Sequence, residues 1–314
     1  MLLLVSTQPL FWGFYERLYD GLGYAGERFA HVVETRTGVV TVTSMGQVQG
    51  GGAYDGWFST DLVDDRNAVF RAYATALYQA EPKEVLIVGL ASGSWAQVLA
   101  NHPTVERVTV VEIDDGYLRV IAKYPAVASL LSNPKVEIVI DDGRRWLRRH
   151  PDRRFDLVLQ NTTQHWRGNV TNLLSREYVD LVKAHLSPGG AFTWNTTWSE
   201  GAMRTGALAF PHAMRLGNFM VGSEAPLAFD RDRWRKTLLA WRIDDRPVID
   251  ASDPHEVARL DEVVAMAGTL STGYGPAKST SMTNLETREG ILERTRGARV
   301  LTDDNMGDEW VIDP

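Results

Sequence analysis

"VLIVGLASGSWAQVL", residues Val85 to Leu99, decides the fold: an apolar strand, a turn of small residues and the opening of a helix follow one another directly. In the turn "GLASGS", Gly89, Ala91 and Gly93 let a ligand approach the backbone, with Ser92 between them. The helix that follows points its positive N-terminal end at the same place, which suits part of a nucleoside or nucleotide. A tight strand-to-helix turn with no ligand looks the same locally, so the turn has to be weighed with its surroundings.

Downstream, Glu112 closes the next strand, "RVTVVEID", at about 20 residues from the turn, where an acid accepts hydrogen bonds from the two ribose hydroxyls. Ile113 follows it. The pair Asp141 and Asp142 ends "VEIVID" just before Gly143, where a carboxylate can accept from an adenine amino group. Asp142 is equally well placed to cap the helix "GRRWLRRH". "FDLVLQN" and "GAFTWNTT" are further strands, separated by the helical stretch "SREYVDLVKAHL" and the break "SPGG". Apolar runs on both faces of these strands predict a doubly wound parallel sheet in an α/β fold.

Upstream, "FAHVVETRTGVVTVTSMGQVQGGG" alternates in strand period with a turn at Thr37-Gly38 and closes on Gly50 to Gly52. This predicts a small N-terminal β domain. "NAVFRAYATALYQA" has helical apolar spacing, and the polar tail carries a helix near "PHEVARLDEVVAMAGTL". The expected organisation is an N-terminal segment and small β domain over residues 1–72, a Rossmann-like nucleoside-binding domain over 73–250, and a helical C-terminal extension over 251–314.

The 314 residues, 44% hydrophobic and 23% charged, suffice for a sizeable core. A net charge of −7 and a pI near 5.6 argue against nucleic acid or an anionic membrane as the main partner and leave small ligands as the default. The chain has no cysteine, so disulfides, thiol chemistry and thiolate metal sites are excluded. The opening "MLLLVSTQPLFWGFY" is apolar but too short to span a bilayer, and it lacks the basic flank of a signal peptide. The chain is therefore expected to be cytoplasmic, or the soluble part of a membrane-associated protein.

"VLIVGLASGSWAQVLANHPTVERVTVVEID", "VEIVIDDG", "FDLVLQN" and "LSPGGAF" together resemble the spermidine synthase family of aminopropyltransferases, whose fold is that of S-adenosylmethionine-dependent methyltransferases. "TSMGQVQ" is similar to the family's β-domain segment, whose glutamine, here Gln49, touches the nucleoside. "VLTDDN" resembles the close of chains in which a membrane transporter is fused to a spermidine synthase-like domain. The resemblance implies an adenosyl sulfonium ligand (S-adenosylmethionine, its decarboxylated form or methylthioadenosine), a small-molecule acceptor, a homodimer, and membrane-spanning segments in longer chains.

The family's aspartate inside the glycine turn is here Ser92, and the two aspartates of its Asp-Ser-Ser-Asp-Pro loop are here Asn161 and Gln164, with His165 in place of the proline. Burying an ammonium without a counter-charge costs several kcal/mol, on the order of the penalty for any unpaired buried ion. The acceptor amine, with a free pKa near 10, must also lose a proton that an amide cannot take. Ser92 in place of an acid makes the carboxylate of intact S-adenosylmethionine more acceptable. The expectation is a transferase that acts on the side chain of an adenosyl sulfonium and releases methylthioadenosine, rather than a standard polyamine synthase. Its alternatives are a small-molecule methyltransferase, a true aminopropyltransferase and a non-catalytic nucleoside-binding domain.

Asn161, Gln164 and His165 are the candidate catalytic residues, and the neutral imidazole of His165 suits proton transfer near neutral pH. Gln49, Gly89, Ser92, Gly93, Glu112, Ile113, Asp142, Gly143 and Asn161 are the candidate cofactor-binding residues. Asn195, Thr196 and Thr197 fall at a strand tip on the sheet edge where ligands of open α/β folds bind. Tyr54 and Asp61 are candidates for a lid from the β domain. His102, His150 and His212 show no metal-ligand spacing, so no metal is expected. The basic run around Arg144 and Arg148 reads as a solvated helix face.

Overall fold

The computed structural model describes residues 12–161, 171–266 and 285–305. Strands β1 (His31–Glu34), β2 (Val39–Val42), β3 (Gln47–Gly50) and β4 (Ala53–Trp57) form an antiparallel meander in chain order. The Thr37-Gly38 turn joins the first two, Thr35 N–H donating to the Gly38 carbonyl at 2.9 Å. The fourth strand lies beyond the triple glycine, where the alternating pattern was expected to end.

The main sheet takes β5 (Glu84–Val88), β6 (Arg107–Glu112), β7 (Val136–Ile140), β8 (Phe155–Gln160), β9 (Leu186–Asn195), β10 (His212–Leu216) and β11 (Phe219–Ser223). After a two-residue ribbon, β12 (Arg242–Ile243) with β13 (Arg246–Pro247), the strand β14 (Leu285–Thr287) completes it. The order is β14-β10-β11-β9-β8-β5-β6-β7. From β7 to β9 the strands run parallel; β11, β10 and β14 are antiparallel additions. Chain order reverses at β5, between β6 and β8, and in open α/β sheets ligands bind at the carboxyl edge of such a reversal.

Every other residue of β5 feeds a different core. Val85 and Ile87 pack with Val108, Val110 and Leu159 on one face, and Leu86 and Val88 with Val111, Val158 and Trp146 on the other. Burial on both faces is why these strands read as continuous apolar runs. The helix Arg176–Lys183 follows the sequence pattern, capped by Ser175, whose side chain accepts from the Tyr178 N–H.

Three features differ from the sequence reading. "SPGG" does not end an element: Ser187 to Gly190 are carried inside β9 as an irregularity opposite Phe155 and Leu157, which absorbs the residues that looked like a break. "NAVFRAYATALYQA" forms two short helices, Phe70–Tyr73 and Thr75–Tyr78, stepping at Ala74. Residues 251–314 supply a helix, Pro254–Met266, and also β14, which pairs with β10 at the sheet edge. Among the described residues no helix is long and apolar enough to cross a membrane.

Candidate active site

Two adjoining cavities open at the carboxyl edge of β5, β6 and β8. The larger, of about 960 Å³, runs from the β domain (Gly38, Gly50, Gly51) past Gly89, Glu112, Ile113 and Asp142 to Arg144 and Asp303. The smaller, of about 370 Å³, continues from the shared residues Asp55, Gly89, Ala91 and Asn161 towards Ser92, Arg71 and Asn218.

The turn after β5 is built as its composition requires. Gly89 (φ 90°), Ala91 (φ 49°) and Gly93 (φ 77°) all take positive φ, where glycine is unstrained and alanine is not. Gly93 is nevertheless fixed by packing, since a Cβ there would lie 2.9 Å from Ile121 Cδ1, and it lines neither cavity. Gly143, which does line the larger cavity, is held to glycine in the same way by Val88, 2.6 Å from where its Cβ would sit. Ser92 is buried in the wall of the smaller cavity. Ser94 anchors the turn to the β domain, its Oγ donating to the Trp57 carbonyl at 2.7 Å and accepting from Ser59 N–H at 3.1 Å.

Glu112 ends β6 with its carboxylate buried. Oε2 accepts from Leu90 N–H at 2.5 Å and Oε1 from Asp114 N–H at 2.9 Å, so the acid is locked to the glycine turn. Burial pushes its pKa up, with the Asp55 charge adding to the rise and the backbone donors opposing it. Each oxygen has capacity for a second donor. Asp114 accepts from Gly116 N–H and from the Thr35 hydroxyl, tying the loop after β6 to β1. Asp142 caps the helix Gly143–Arg149 through Oδ1, which accepts from Arg145 N–H at 2.7 Å, while Asp141 pairs with Arg145 and Arg149. Capping and cavity lining thus coexist at Asp142.

Gln49 departs from the expectation. It is fully buried within the meander, its Oε1 accepting from the Thr41 hydroxyl at 3.1 Å and its Nε2 donating to Gln47, and the cavity is lined instead by Gly50 and Gly51. Asp61 also lies outside both cavities, its carboxylate accepting from the N–H groups of Val63 and Asp64. Tyr54 does line the smaller one. Asn161 lines both, whereas Gln164 and His165 lie outside the described residues. Thr196 and Thr197 are buried and line neither cavity, but Asn195 lines the smaller one and donates to Asn161 Oδ1 at 3.1 Å.

Sequence reasoning missed three side chains. Asp55 lines both cavities and takes a short hydrogen bond from the Tyr117 hydroxyl. The pairing of β3 with β4 slips between Val48 and Gln49, which face Gly56 and Tyr54, so Asp55 is the extra residue of a bulge and its side chain is re-aimed. Arg144 is not on a solvated face: it is buried, donates to Asp303 at 2.8 Å from Nη1 and again from Nη2, and meets the Asn172 carbonyl. Asp303, from "VLTDDN", also accepts from the Ser175 hydroxyl; the hydrogen bonds from Arg144 hold its pKa below the usual carboxylate value. Arg71 stands in the smaller cavity, its guanidinium over the Phe219 ring. Among the described residues no group of three His, Asp or Glu side chains could hold a metal ion.

An open parallel sheet with a lined cleft at its reversal point and an antiparallel β10-β11 extension is the methyltransferase-like class of α/β folds. Residues 72–201 match the spermine/spermidine synthase domain, and over that domain the chain is spermidine synthase-like. The polyamine aminopropyltransferase of Desulforudis audaxviator (strain MP104C) is 33% identical over 146 residues, covering 45% of this chain and 52% of its own length. That of Thermoanaerobacter sp. (strain X514) is 41% identical over 116 residues, covering 37% and 41%. The chain therefore spans about half the length, or less, of these curated relatives. A crystal structure of a spermidine synthase in complex with the transition state analogue AdoDATO superposes with a TM-score of 0.58 at 19% identity, covering 75% of this chain and 89% of that one, which is a likeness of fold.

Proposed function

We propose that the chain is a transferase of the aminopropyltransferase type, which moves the three-carbon side chain of an adenosyl sulfonium to an amine and releases methylthioadenosine. Decarboxylated S-adenosylmethionine is the donor this reading calls for. The expectation of something other than a standard polyamine synthase finds no support in the two relatives named above, both of which carry the name polyamine aminopropyltransferase.

The observation that carries the reading is the joining of the two cavities at Asp55, Gly89, Ala91 and Asn161. A nucleoside in the larger cavity, its ribose on Glu112 and its adenine at Asp142 and Gly143, would direct its sulfur substituents through this junction into the smaller one. Attack by the amine nitrogen on the sulfonium's side-chain carbon forms the C–N bond and breaks the C–S bond, whose electrons return to sulfur. The amine must reach that carbon unprotonated, and we assign the proton to Asp55, the carboxylate common to both cavities, since Asn161 can orient a donor but cannot accept that proton. In this reading the β meander, residues 31–57, closes over the site, the strand ends of the main sheet hold the nucleoside, and the C-terminal segment brings Asp303 to the far wall.

Chromatography of the nucleosides left after incubation with decarboxylated S-adenosylmethionine, S-adenosylmethionine and a panel of amines tests it. Methylthioadenosine appearing only when an amine is present supports side-chain transfer. Accumulating S-adenosylhomocysteine would replace that reading with methyl transfer, and no nucleoside product with any amine would leave a binding domain.

A further inference from the structure

The two cavities meet at Asn161, a side chain whose amide is oriented from outside them. Asn195 Oδ1 accepts from the Thr197 backbone N–H at 2.7 Å. A backbone N–H can only donate, so the atom it meets is the oxygen and the other end of the Asn195 amide is its Nδ2. Asn218 Nδ2 donates to the same oxygen at 2.7 Å, which holds the amide from a second side. Asn195 Nδ2 in turn donates to Asn161 Oδ1 at 3.1 Å. The Asn161 amide is thereby turned with its oxygen towards Asn195, and Nδ2 is the end left over. That Nδ2 has no hydrogen-bond partner among the described residues, and it is not shut in by protein, since Asn161 is half-buried and lines both cavities.

The space beside it is open. Beyond its chain neighbours, a Cβ on Gly89 would meet nothing nearer than the Asn161 backbone carbonyl oxygen, at 4.0 Å. The other polar side chain common to both cavities is Asp55, an acid that attracts a cation. An amide N–H acts in the opposite sense. Its positive hydrogen is repelled by a sulfonium, which carries a full positive charge and a single lone pair, and is attracted by a thioether, which is neutral and has a second lone pair. Asp55 and Asn161 therefore suit the two ends of a transfer that begins on a charged sulfur and leaves a neutral one.

We infer that Asn161 is a catalytic hydrogen-bond donor to the leaving sulfur, aimed by Asn195 as a positioning residue. The inference rests on the larger cavity holding the nucleoside with its sulfur at the Gly89–Asn161 junction. The acceptor's ammonium proton passes to Asp55 beforehand. As the neutral nitrogen forms its bond to the side-chain carbon, the C–S bond breaks and its electron pair returns to sulfur, so the positive charge moves from sulfur to nitrogen. The hydrogen bond from Nδ2 is then stronger in the transition state than in the bound sulfonium, and a gain of that kind raises the rate of the chemical step. An ionised carboxylate in the same place has no proton to donate and holds the sulfonium instead.

The test is calorimetric titration of the full chain with a matched pair, methylthioadenosine and its S-methylated sulfonium, which share the nucleoside and differ at sulfur by one methyl group and one positive charge. Removing the donor in Asn161→Ala should weaken the thioether about three- to tenfold, the scale of one hydrogen bond, and leave the sulfonium bound as tightly as before or more tightly. Adenosine has no sulfur, so its affinity should be unchanged, which also reports that the variant is folded. Asn195→Ala releases the Asn161 amide and should move the thioether-to-sulfonium ratio the same way by about two- to threefold. In the Asn161→Ala background it should move the ratio no further, a dependence that a merely structural role of Asn195 would not produce. A ratio within about twofold of wild type in Asn161→Ala overturns the inference, as does a shift in favour of the thioether. If Asn161→Ala no longer binds adenosine, the ratio in Asn195→Ala decides by the same signs. Failure of the wild type to bind either adenosine or methylthioadenosine would instead bring down the reading of the larger cavity, and the role of Asn161 with it.

Discussion

The two cavities share one wall but are made by different means. The larger is built from strand ends: Gly89 after β5, Glu112 ending β6, Asp142 just past β7 and Asn161 just past β8. The parallel registers of β5 with β6 and β8, and of β6 with β7, bring these ends together whatever the intervening helices do. The smaller borrows from a bulge at Asp55, a short helix at Arg71, the turn at Ser92 and the hairpin at Asn218. A ligand pocket anchored on a sheet edge can stay constant while the pocket beside it changes its chemistry.

The sharpest way to break that division of labour is Asp55→Asn. If Asp55 receives the acceptor's proton, turnover should fall by about a hundredfold or more while methylthioadenosine still binds. An unchanged rate would remove Asp55 from the chemistry. Next in size is Glu112→Gln, which keeps the shape but removes the charge that accepts from ribose hydroxyls. Nucleoside affinity should drop by about ten- to a hundredfold in a calorimetric titration, on the scale of hydrogen bonds to charged groups.

Gly93→Ala tests the frame rather than the ligand. With φ at 77° and Ile121 Cδ1 2.9 Å from the new Cβ, it should lose about 1–3 kcal/mol of stability in denaturant unfolding. Gly51→Ala, at positive φ but with open space around it, should lose less.

The smallest effect concerns Asp303. Its pKa in the folded chain is depressed by Arg144, so it contributes stability that is present above the unfolded carboxylate value, about 3.9, and is lost as pH falls through the lower folded value. The stability difference between wild type and Asp303→Asn should accordingly be full at neutral pH and vanish in acid. A difference that grew on acidification would contradict the assignment.

How much of this was legible follows the same division. Strand ends could be read from sequence because apolar runs, small turn residues and acids recur at fixed spacing, and β5 to β9 fall where those patterns place them, to within a few residues. Asp55 was hidden because a bulge breaks the period-two rule on which strand faces are read. Arg71 sat in a stretch whose apolar spacing announced only a helix, and nothing local says that Phe219, some 150 residues away in sequence, will cover its guanidinium. Arg144 looked like one charge in a basic run until Asp303 came back from the C-terminal segment to meet it. Gln49 was placed by family likeness, yet the hydroxyl of Thr41 claims its carbonyl inside the meander.

The central claim is that one nucleoside spans the larger cavity and aims its sulfur at the smaller one. A crystal structure with methylthioadenosine tests it most directly. The account expects both ribose hydroxyls on Glu112, the adenine beside Asp142 and Gly143, and the methylthio group at the Gly89–Asn161 junction facing Asp55. A nucleoside bound elsewhere, or one whose sulfur faces Arg144 and Asp303, would contradict it.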